Sequence, residues 1–385
     1  MKLVEIGKLC KLQNGKAFKP TEWSDKGLPI VRIQNLNNEE KPFNYCDFDV
    51  DKKFHIDSGD LLFSWSGTPG TSFGAFFWNR GPAILNQHIF NVLIDESLVR
   101  KDYFRLAMNA KLDEIIAQAH GGVGLQHITK GKLEAVKIPL PPLETQKQIA
   151  AVLEKADQLR KDCQQMEQEL NSLAQSVFID MFGDPVTNPK GWEMKTLSEL
   201  ASIVTGNTPS RAKPEYYGSD IEWIKSGNIN TPLDYLTVAE EYLSEDGKKA
   251  GRVVQSGSVL MTCIAGSPDC IGNIAIADRE VAFNQQINAL VPMNKKLDTE
   301  FLYVLLKVAK KIIQSASTNS MKGMISKSKL ESIQLPFPSY AEQCDFSTIY
   351  KKLQKEVKKQ NEQVVETELM FDALMQKAFK GELNL

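Results

Sequence analysis

Histidine and cysteine are scarce in this chain of 385 residues, which contains four histidines and six cysteines. The cysteines are scattered, with no CxxC pair and no histidine at ligand spacing, so neither a disulfide framework nor a zinc site is indicated. The glycine-rich phosphate loop and the GxGxxG pattern of nucleotide-binding folds are also missing. The sequence therefore predicts reduced cysteines, no metal centre and no nucleotide cradle.

Long apolar runs and an excess of one charge are missing as well. No stretch approaches the roughly 20 apolar residues that span a bilayer, and the first residues lack the apolar core of a signal peptide. We therefore expect a cytoplasmic protein with no membrane partner. The formal net charge is −2, so a nucleic-acid ligand would have to be held by local patches or jointly with a partner protein.

The chain does contain a repeat of its own first half. Matching segments recur in the same order: Gly15 with Gly206, Val31-Arg32 with Ile224-Lys225, SGDLLFS from Ser58 with SGSVLMT from Ser256, NQHI at Asn86 with NQQI at Asn284, and LEAVKIPLP at Leu133 with LESIQLPFP at Leu330. The offset between the halves drifts only from 191 to 198 residues. A shared order at a nearly constant offset indicates duplication, and a duplicated binding domain suits a target with two half-sites.

Each half ends in a long helix with heptad spacing. Steps of three and four predict a coiled-coil seam in the first helix at Ile149, Val152, Ala156, Leu159, Cys163, Met166, Leu170, Leu173 and Val177. The second predicted seam contains two polar residues: Phe346, Tyr350, Leu353, Val357, Gln360, Val364, Thr367, Phe371, Leu374 and Ala378. We predict that the two helices pair with each other; the alternative is that each packs only on its own domain.

Prolines mark the entry into both helices, at Pro139, Pro141 and Pro142 in the first half and at Pro336 and Pro338 in the second. Proline favours an extended approach and cannot sit inside the helix that follows. If a pseudo-two-fold axis relates the two copies, the helices run antiparallel. Thirty helical residues at about 1.5 Å each make a spacer on the order of 45 Å, comparable with the roughly 34–36 Å turn of B-DNA.

Short runs of β-branched and aromatic residues, punctuated by glycine, asparagine and proline, fill the globular parts of both halves. They predict a twisted, mostly antiparallel sheet. Helical stretches are predicted at Tyr103–Ala119 and Phe301–Ser315. Each domain is therefore expected to be α+β.

A catalytic constellation is not evident, and we predict no catalytic residue and no metal ligand. Asp246-Gly247-Lys248, with Asp234 upstream, has a loose likeness to a metal-nuclease triad, but similar triplets in the first half make chance the better explanation. None of the four histidines has a counterpart in the other half, which argues against a duplicated catalytic centre.

Amide, small polar and basic side chains in the loops are the candidates for contacting DNA. Asparagine and glutamine pair with adenine edges, whereas arginine and lysine pair with guanine edges or phosphates. The candidates in the first half are Arg32, Gln34, Trp65, Ser66, Thr68, His88, Gly121, Gly122, Gln126, Lys130 and Lys132. Those in the second half are Lys225, Ser226, Ser267, Gln286, Lys322, Lys327 and Lys329.

Several of these assignments have structural alternatives. Asparagines that occur in both halves, such as Asn86 and Asn284, support a turn more readily than they read two different half-sites. The glycine-rich stretch 120–133 and its partner 318–330 either place N–H groups and lysines against phosphates or are ordinary loops. Trp65 is either an exposed apolar wedge or part of the core.

Taken together, the chain resembles the specificity subunit of type I restriction–modification systems. The resemblance is carried by the passage GVGLQHITKGKLEAVKIPLPPLETQKQIAAVLEKAD, by the re-entry FGDP followed by GWEMKTLSELASIVTGNTPS, and by the closing AFKGEL. It extends over essentially the whole chain, and the proline exit joined to a heptad helix is its most specific part.

The resemblance implies two target-recognition domains at 1–143 and 191–338, a central helix at 144–182, a linker at 183–190 and a C-terminal helix at 339–381. Each domain would read one half of an asymmetric, gapped sequence in double-stranded DNA, and the antiparallel coiled coil would set the gap. The helices and proline exits would bind modification subunits, with contacts at Pro141, Pro142, Gln146, Pro338 and Gln343.

The same resemblance places the chemistry outside this chain. S-adenosylmethionine, ATP and Mg are expected on the modification subunits and on a restriction subunit, the motor–nuclease, and no cofactor is expected here. Two alternatives come from other classes of protein: a standalone nuclease, and a coiled-coil scaffold whose duplicated domains bind proteins instead of DNA.

Overall fold

The computed structural model describes residues 1–68, 71–122, 125–318 and 323–383. The chain forms two compact units: residues 1–164 with 363–385 make unit 1, and residues 165–362 make unit 2. The division falls inside the two long helices, so each unit contains one repeat and a segment of both helices.

The first repeat is built from short strands in four small sheets. The strands are β1 (Leu3–Glu5), β2 (Cys10–Asn14), β3 (Leu28–Val31), β4 (Asn44–Cys46), β5 (His55–Ile56), β6 (Leu61–Ser64), β7 (Ser66–Gly67), β8 (Gly74–Phe77), β9 (Ala83–Leu85), β10 (Ile89–Ile94), β11 (His120–Gly122), β12 (Leu125–His127) and β13 (Lys137–Pro139). The sheet orders are β2-β10-β6-β8, β4-β3-β9-β5, β11-β12-β7 and β1-β13. Strands β3 and β9 pair in parallel, and the other pairings in these sheets are antiparallel.

The helices of this part of the chain are α1 (Ile33–Asn37), α2 (Lys101–Asn109), α3 (Leu112–Ala117), α4 (Lys130–Ala135) and the long α5 (Leu143–Phe182). The helix predicted over 103–119 is thus two helices. At the end of α2 the Asn109 side chain accepts a hydrogen bond from Ala75 N (2.8 Å) and donates one to Ala75 O (3.1 Å). This pair of bonds ties the end of α2 to strand β8.

The second repeat has the corresponding sheets in the same order, except that its described residues contain no counterpart of β11. Its elements are β14 (Glu193–Thr196), α6 (Leu197–Leu200), β15 (Ala201–Thr205), β16 (Tyr217–Ile224), β17 (Tyr242–Leu243), α7 (Glu245–Ala250), β18 (Val253–Val254), β19 (Val259–Thr262), β20 (Ile264–Ala265), β21 (Ile274–Ile276), β22 (Val281–Phe283), β23 (Ile287–Pro292), α8 (Thr299–Val308), α9 (Lys310–Ser315), β24 (Gly323–Met324), α10 (Lys327–Glu331), β25 (Gln334–Phe337) and α11 (Tyr340–Lys380). The sheet orders are β15-β23-β19-β21, β17-β16-β22-β18, β20-β24 and β14-β25.

The parallel pair recurs as well, between β16 and β22. Among the described strands, all but β11 have a counterpart in the second repeat, and this match confirms the duplication and the α+β class with mostly antiparallel sheet. The helix predicted over 301–315 is again two helices, α8 and α9.

Both repeats begin with apolar residues spaced three apart, and the side chains of each series lie against the core. Ile6, Leu9 and Leu12 are buried in unit 1, where a short 3-10 turn leads into strand β2. Their counterparts in unit 2, which pass from α6 into β15, are buried in the same way.

The glycine that follows each series lies where two backbones approach closely. A Cβ atom at Gly15 would lie 2.3 Å from Asn86 O, and one at Gly206 would lie 2.1 Å from Asn284 O. Real Cβ atoms do not approach backbone oxygens this closely. The repeated glycine is therefore a steric requirement of the fold.

Segments of the two long helices pack together in unit 1. The Arg160 guanidinium lies 5.1 Å from the Phe371 ring, and Gln164 Nε2 donates to Glu368 Oε1 (3.0 Å). Residue numbers fall along α11 as they rise along α5, so these segments are antiparallel. Helix α5 ends at Phe182, and the next residue, Gly183, takes a left-handed conformation with φ of 80°.

Aromatic packing joins segments of the same helices in unit 2. The Phe178 and Phe346 rings lie 5.4 Å apart, and the Phe182 and Phe301 rings lie 5.2 Å apart. The Phe301 ring belongs to α8, so this cluster fixes both long helices to the second repeat. The domain and helix boundaries proposed from the sequence remain predictions.

The seam predicted for α11 is confirmed, but that predicted for α5 is partly wrong. Residues of the α11 seam are buried or half-buried throughout. Along α5, four predicted seam residues are exposed: Val152 (37%), Leu159 (46%), Met166 (53%) and Leu173 (40%). Leu153 and Ala174, which follow Val152 and Leu173, are buried instead, because the face of α5 that packs inward is rotated from the one with the most regular heptads.

We expect Gly15→Ala to destabilise the protein by about 1–3 kcal/mol, since the added methyl group forces the crossing backbones apart. Gly131→Ala is the matched control: a Cβ atom at Gly131 meets nothing within 4 Å, and the residue lies in helix α4. That substitution should be neutral or stabilise by up to about 1 kcal/mol. Urea unfolding of both variants measures the difference, and equal stabilities would contradict the steric explanation.

Candidate nucleic-acid interface

Three loops of the first repeat that are distant in sequence meet at one place. Strand β12 pairs with β7, with Gln126 opposite Gly67 and His127 opposite Ser66. Trp65 N donates to His88 O (3.3 Å). The structure thus brings together a group of predicted DNA contacts: Trp65, Ser66, Thr68, His88, Gly121, Gly122 and Gln126. We call the two places where these loops meet, in the first and second repeats, the loop junctions.

The second repeat has the corresponding junction. Cys263 N donates to Gln286 O (2.8 Å), and Ile325 N donates to Cys263 O (2.9 Å). Strand β20 pairs with β24 as β7 pairs with β12. The backbone is conserved between the two junctions while the side chains differ, with Cys263 in place of Trp65 and Gln286 in place of His88.

A cleft of about 210 Å³ next to the first junction adds two predicted residues, Arg32 and Gln34, to His88. Arg32, Gln34 and His88 line it together with the aromatic rings of Phe18 and Trp23. The Arg32 guanidinium lies 5.1 Å from the Trp23 ring and donates to Asn44 Oδ1 (3.3 Å). Amide, cationic and aromatic groups in one cleft match the chemistry of a nucleobase.

Burial of its ring lowers the pKa of His88, and the positive charge of Arg32 lowers this pKa further. The Trp65 ring lies 5.5 Å from the imidazole. His88 is therefore neutral near pH 7, able to donate one hydrogen bond and accept another.

The corresponding cation of the second repeat is paired with an acid. Lys225 lies over the Trp223 ring at 5.4 Å and forms an ion pair with Glu241. Arg211 also bonds Glu241, at 2.7 Å. The hydrogen bond from Lys225, and to a smaller extent that from Arg211, lowers the pKa of Glu241. The second repeat therefore offers less free positive charge at this place than the first.

Three of the repeated asparagines, Asn35, Asn228 and Asn284, accept hydrogen bonds from backbone N–H groups of their own turns. Asn35 is fully buried; it accepts from Arg32 N (3.1 Å) and donates to Lys41 O and Pro42 O. Asn228 likewise accepts from Lys225 N (3.0 Å). The side chain of Asn284 accepts from Gln286 N (3.0 Å). Their amides are therefore occupied within the chain.

Trp65 packs against the core and is only partly exposed. Its ring stacks on Phe90 at 5.6 Å between centroids, which makes it part of the core of unit 1. It remains half-buried, and its buried Nε1 has no hydrogen-bond partner among the residues that the structure describes. Trp65 therefore joins the junction to the core of unit 1.

The lysines differ in how far they are engaged within the chain. Lys130 Nζ donates to Leu12 O (2.9 Å), and Lys132 Nζ donates to Gln118 O (3.1 Å). Lys327 lies 3.6 Å from Glu331, whereas Lys329 is exposed. Lys322 lies outside the described residues. The remaining candidates of the second repeat are a half-buried Ser226 and an exposed Ser267.

Two predicted partner contacts, Gln146 and Gln343, have a different role. Gln146 is completely buried; it donates to Pro141 O (2.8 Å) and Leu98 O (3.2 Å) and accepts from Arg100 N (2.9 Å). The amide groups are satisfied inside the chain and cannot reach a partner, which corrects the direct contact expected from the sequence.

Gln343 repeats this arrangement. It donates to Pro338 O (3.0 Å) and Lys296 O (3.4 Å) and accepts from Asp298 N (3.0 Å). Pro141 and Pro338 are buried beside the two glutamines, and Pro142 is exposed. Of the predicted partner contacts, Pro142 is the one whose side chain is open to a partner.

The nuclease alternative gains no support from the geometry. Asp234 accepts hydrogen bonds from Tyr303 and Tyr350, whereas Asp246 bonds Lys249 at 3.1 Å, so the loose triad does not assemble. No group of three or more His, Cys, Asp or Glu suited to a metal ion occurs in the part of the chain that the structure describes. Within that same part, no helix is both long and apolar enough to cross a membrane.

Sequence reasoning missed the aromatic and cationic neighbours of these sites. Phe18 and Trp23 line the first cleft, and Lys16 lies 4.5 Å from the Phe18 ring. In the second repeat Arg211 lies 4.3 Å from the Tyr217 ring. The available signal was the clustering of aromatic and basic residues just after each repeated glycine.

Two repeats with the same sheets and the same meeting of loops define a tandem binding protein with paired long helices. A family model, described as the type I restriction modification DNA specificity domain, matches residues 1–172 and 189–367. The chain therefore belongs to the family of type I restriction–modification specificity subunits, and this membership implies a role in DNA recognition.

Individual relatives agree with this assignment. The specificity subunit of the type I restriction enzyme EcoBI from Escherichia coli is 22% identical over 420 residues, covering 99% of this chain and 86% of that protein. The HindI specificity subunit from Haemophilus influenzae is 32% identical over 140 residues, which is 36% of this chain and 28% of that protein. The crystal structure of a type I S subunit from M. genitalium shares the fold, with a TM-score of 0.60 at 15% identity over 98% of this chain and 96% of that chain.

We expect the imidazole of His88 to titrate below its ordinary pKa of 6.5. The pKa of His88 is lower in the folded protein than in the unfolded chain. The neutral ring therefore stabilises the fold above pH 6.5, and this stabilisation is lost as the pH falls through the lowered pKa. Arg32→Met should raise the pKa of His88 only partway back to 6.5, because burial lowers it more than the charge of Arg32 does. NMR titration of the histidine signals measures this. Lys225→Met is the control and should leave the value unchanged; a pKa of 6.5 or above would contradict the assignment.

Proposed function

We propose that this chain reads a two-part, gapped sequence in double-stranded DNA, with one loop junction reading each part. The observation that carries the proposal is that both repeats bring the same three loops together on one backbone plan but place different side chains there. A shared frame with unlike side chains suits a target whose two halves differ.

The charge of the chain supports a reader that holds DNA together with a partner. Basic and acidic side chains nearly balance, and Lys225 and Arg211 are already paired with Glu241. Phosphate contacts normally supply much of the affinity for DNA. We therefore propose that partner subunits contribute a large share of these contacts, so the isolated chain binds DNA weakly and with little sequence preference.

Exposed apolar side chains on α5 support docking of a partner helix. Val152 and Leu159 in unit 1, and Met166 and Leu173 in unit 2, recur every seven residues and are exposed. A stripe at heptad spacing is what an additional helix packs against. We propose that modification subunits dock along α5, that they carry S-adenosylmethionine, and that a restriction subunit with ATP and Mg joins the complex.

In this proposal the chain itself performs no chemistry. The paired long helices would act as a spacer that sets the gap between the two parts of the DNA sequence. Magnesium-dependent DNA cleavage by the purified chain alone would contradict the non-catalytic assignment.

The decisive experiment exchanges residues 1–143 for the matching domain of another specificity subunit. The protein is co-expressed with its modification subunit, and methylated adenines are mapped across a genome. We expect a gapped consensus in which only one half changes, because the second junction is untouched. The reciprocal exchange of 191–338 is the control and should change only the other half. If the whole consensus changed, or none of it, the proposal that each loop junction reads one half of the sequence would be refuted.

We expect Leu159→Glu and Met166→Glu each to weaken retention of the modification subunit at least about tenfold, because a carboxylate in an apolar helix interface is desolvated without a partner. Leu93→Glu is the matched control, since Leu93 is also exposed but lies in strand β10, outside α5. Co-purification of the co-expressed subunits measures retention. Equal retention by the α5 variants and the control would exclude this face as the docking surface.

A further inference from the structure

One cleft of unit 1 has no role in the function proposed above. It has a volume of about 810 Å³ and lies among helix α2, strand β8 and the segments of α5 and α11 that belong to this unit. Its apolar lining includes Phe76, Phe371 and Met375, and its polar lining includes Arg105 and Arg160. We call it the α2 cleft.

Both arginines of the α2 cleft have unused hydrogen-bonding groups. The Nε atoms of Arg105 and Arg160 are buried and make no hydrogen bond with any residue in the described ranges. Arg105 Nη2 lies 3.5 Å from Glu154, and Arg160 Nη2 lies 2.7 Å from Asp157. Each guanidinium is thus only partly satisfied, and buried polar groups without partners are unfavourable until a ligand supplies one.

The second repeat shows what occupies the matching place there. The buried glutamines fix the register between repeats, because Gln146 accepts from Arg100 N and Gln343 accepts from Asp298 N. Counting along the helices that follow, Arg105 of α2 corresponds to Tyr303 of α8. Asn109 corresponds to Lys307 in the same way.

In unit 2 this helix surface is covered by the chain's own carboxylate. Asp234 accepts hydrogen bonds from Tyr303 Oη (2.6 Å), Tyr350 Oη (2.7 Å) and Lys307 Nζ (3.0 Å). These contacts hold the pKa of Asp234 low although its burial acts to raise it. The carboxylate is therefore charged and fully engaged.

The segment around Asp234 is extended and lies along the edge strand β21. Ile276 N donates to Asp234 O (2.8 Å), and Leu236 N donates to Ile276 O (3.1 Å). The connection that carries it, residues 225–241 between β16 and β17, is longer than residues 32–43 between β3 and β4. Strand β8 is the edge of its sheet as β21 is, but the shorter connection of the first repeat supplies no matching segment.

We infer that the α2 cleft is a docking site for an extended segment of a partner protein that presents a carboxylate next to apolar side chains. The carboxylate would accept from Arg105 in place of the contact that Asp234 makes with Tyr303. The apolar neighbours would pack on Phe371 and Met375, and the backbone would lie along β8. This interaction is separate from DNA reading and does not depend on it.

Charge complementarity favours an acidic peptide over nucleic acid at this place. Five basic side chains line the α2 cleft against three acids, Asp113, Asp157 and Asp372. Two of these bases, Arg105 and Lys111, also pair with Glu154 and Glu114. The cleft therefore has little net positive charge, too little to hold the closely spaced phosphates of a DNA strand. The apolar floor also matches peptide side chains and not a phosphate backbone.

The test uses the full chain with ¹³C-labelled methionine methyl groups and a synthetic peptide of residues 231–238, TPLDYLTV. We expect the Met375 signal to shift saturably on titration, while that of Met324, an exposed methionine of unit 2, stays in place. The same peptide with asparagine in place of aspartate should bind about tenfold more weakly, since a charge-assisted pair is lost.

Two variants complete the design. Arg105→Met should weaken peptide binding about tenfold with the melting temperature little changed, and Arg252→Met, at an exposed arginine of unit 2, should leave binding unaltered. Three results would overturn the inference: no shift of Met375 at millimolar peptide, equal affinity of the aspartate and asparagine peptides, or displacement of the peptide by a DNA duplex that itself shifts Met375. Melting curves of both variants separate lost contacts from lost folding.

Discussion

A buried glutamine amide at the start of each long helix is the contact on which the rest of the architecture depends. In both repeats one side chain joins three backbone groups: the proline exit, the loop before α2 or α8, and the N–H of the residue that directly precedes that helix. Gln146 and Gln343 thereby fix the rotation and register of each helix against its own repeat. An amide suits this place because one group donates twice and accepts once, which an apolar or charged side chain cannot do.

With each long helix fixed by its glutamine, the two repeats share their backbone contacts and differ mainly in the side chains of their loops. The close backbone approach at Gly15 and Gly206 and the asparagine turns at Asn35 and Asn228 are the same in both. The side chains at the loop junctions differ, and so does the connection that carries Asp234. The shared backbone places each binding surface at the same site in its repeat, while the side chains on the two surfaces differ. A family of DNA specificity subunits requires this combination.

Much of this organisation followed from periodicity and order in the sequence. The matched segments predicted the duplication, and short β-branched runs predicted strands that the structure contains. Predictions failed where distant residues decide the outcome. The regular heptads of α5 indicated Val152 and Leu159 as seam residues, but the inward face is set by packing on each repeat and includes Leu153 and Phe178. The cleft formed with Phe18 and Trp23 was missed because its members are far apart in sequence.

The sequence by itself determined the number of repeats, the α+β class, the long helices and the family, because these depend on local patterns that recur along the chain. The tertiary structure alone decided which faces of α5 are buried, which lysines are engaged and what the exit glutamines do. It also decided that a carboxylate covers one helix surface in unit 2 while the α2 cleft in unit 1 stays open. These outcomes depend on contacts between residues far apart in the chain, whose partners no local pattern specifies.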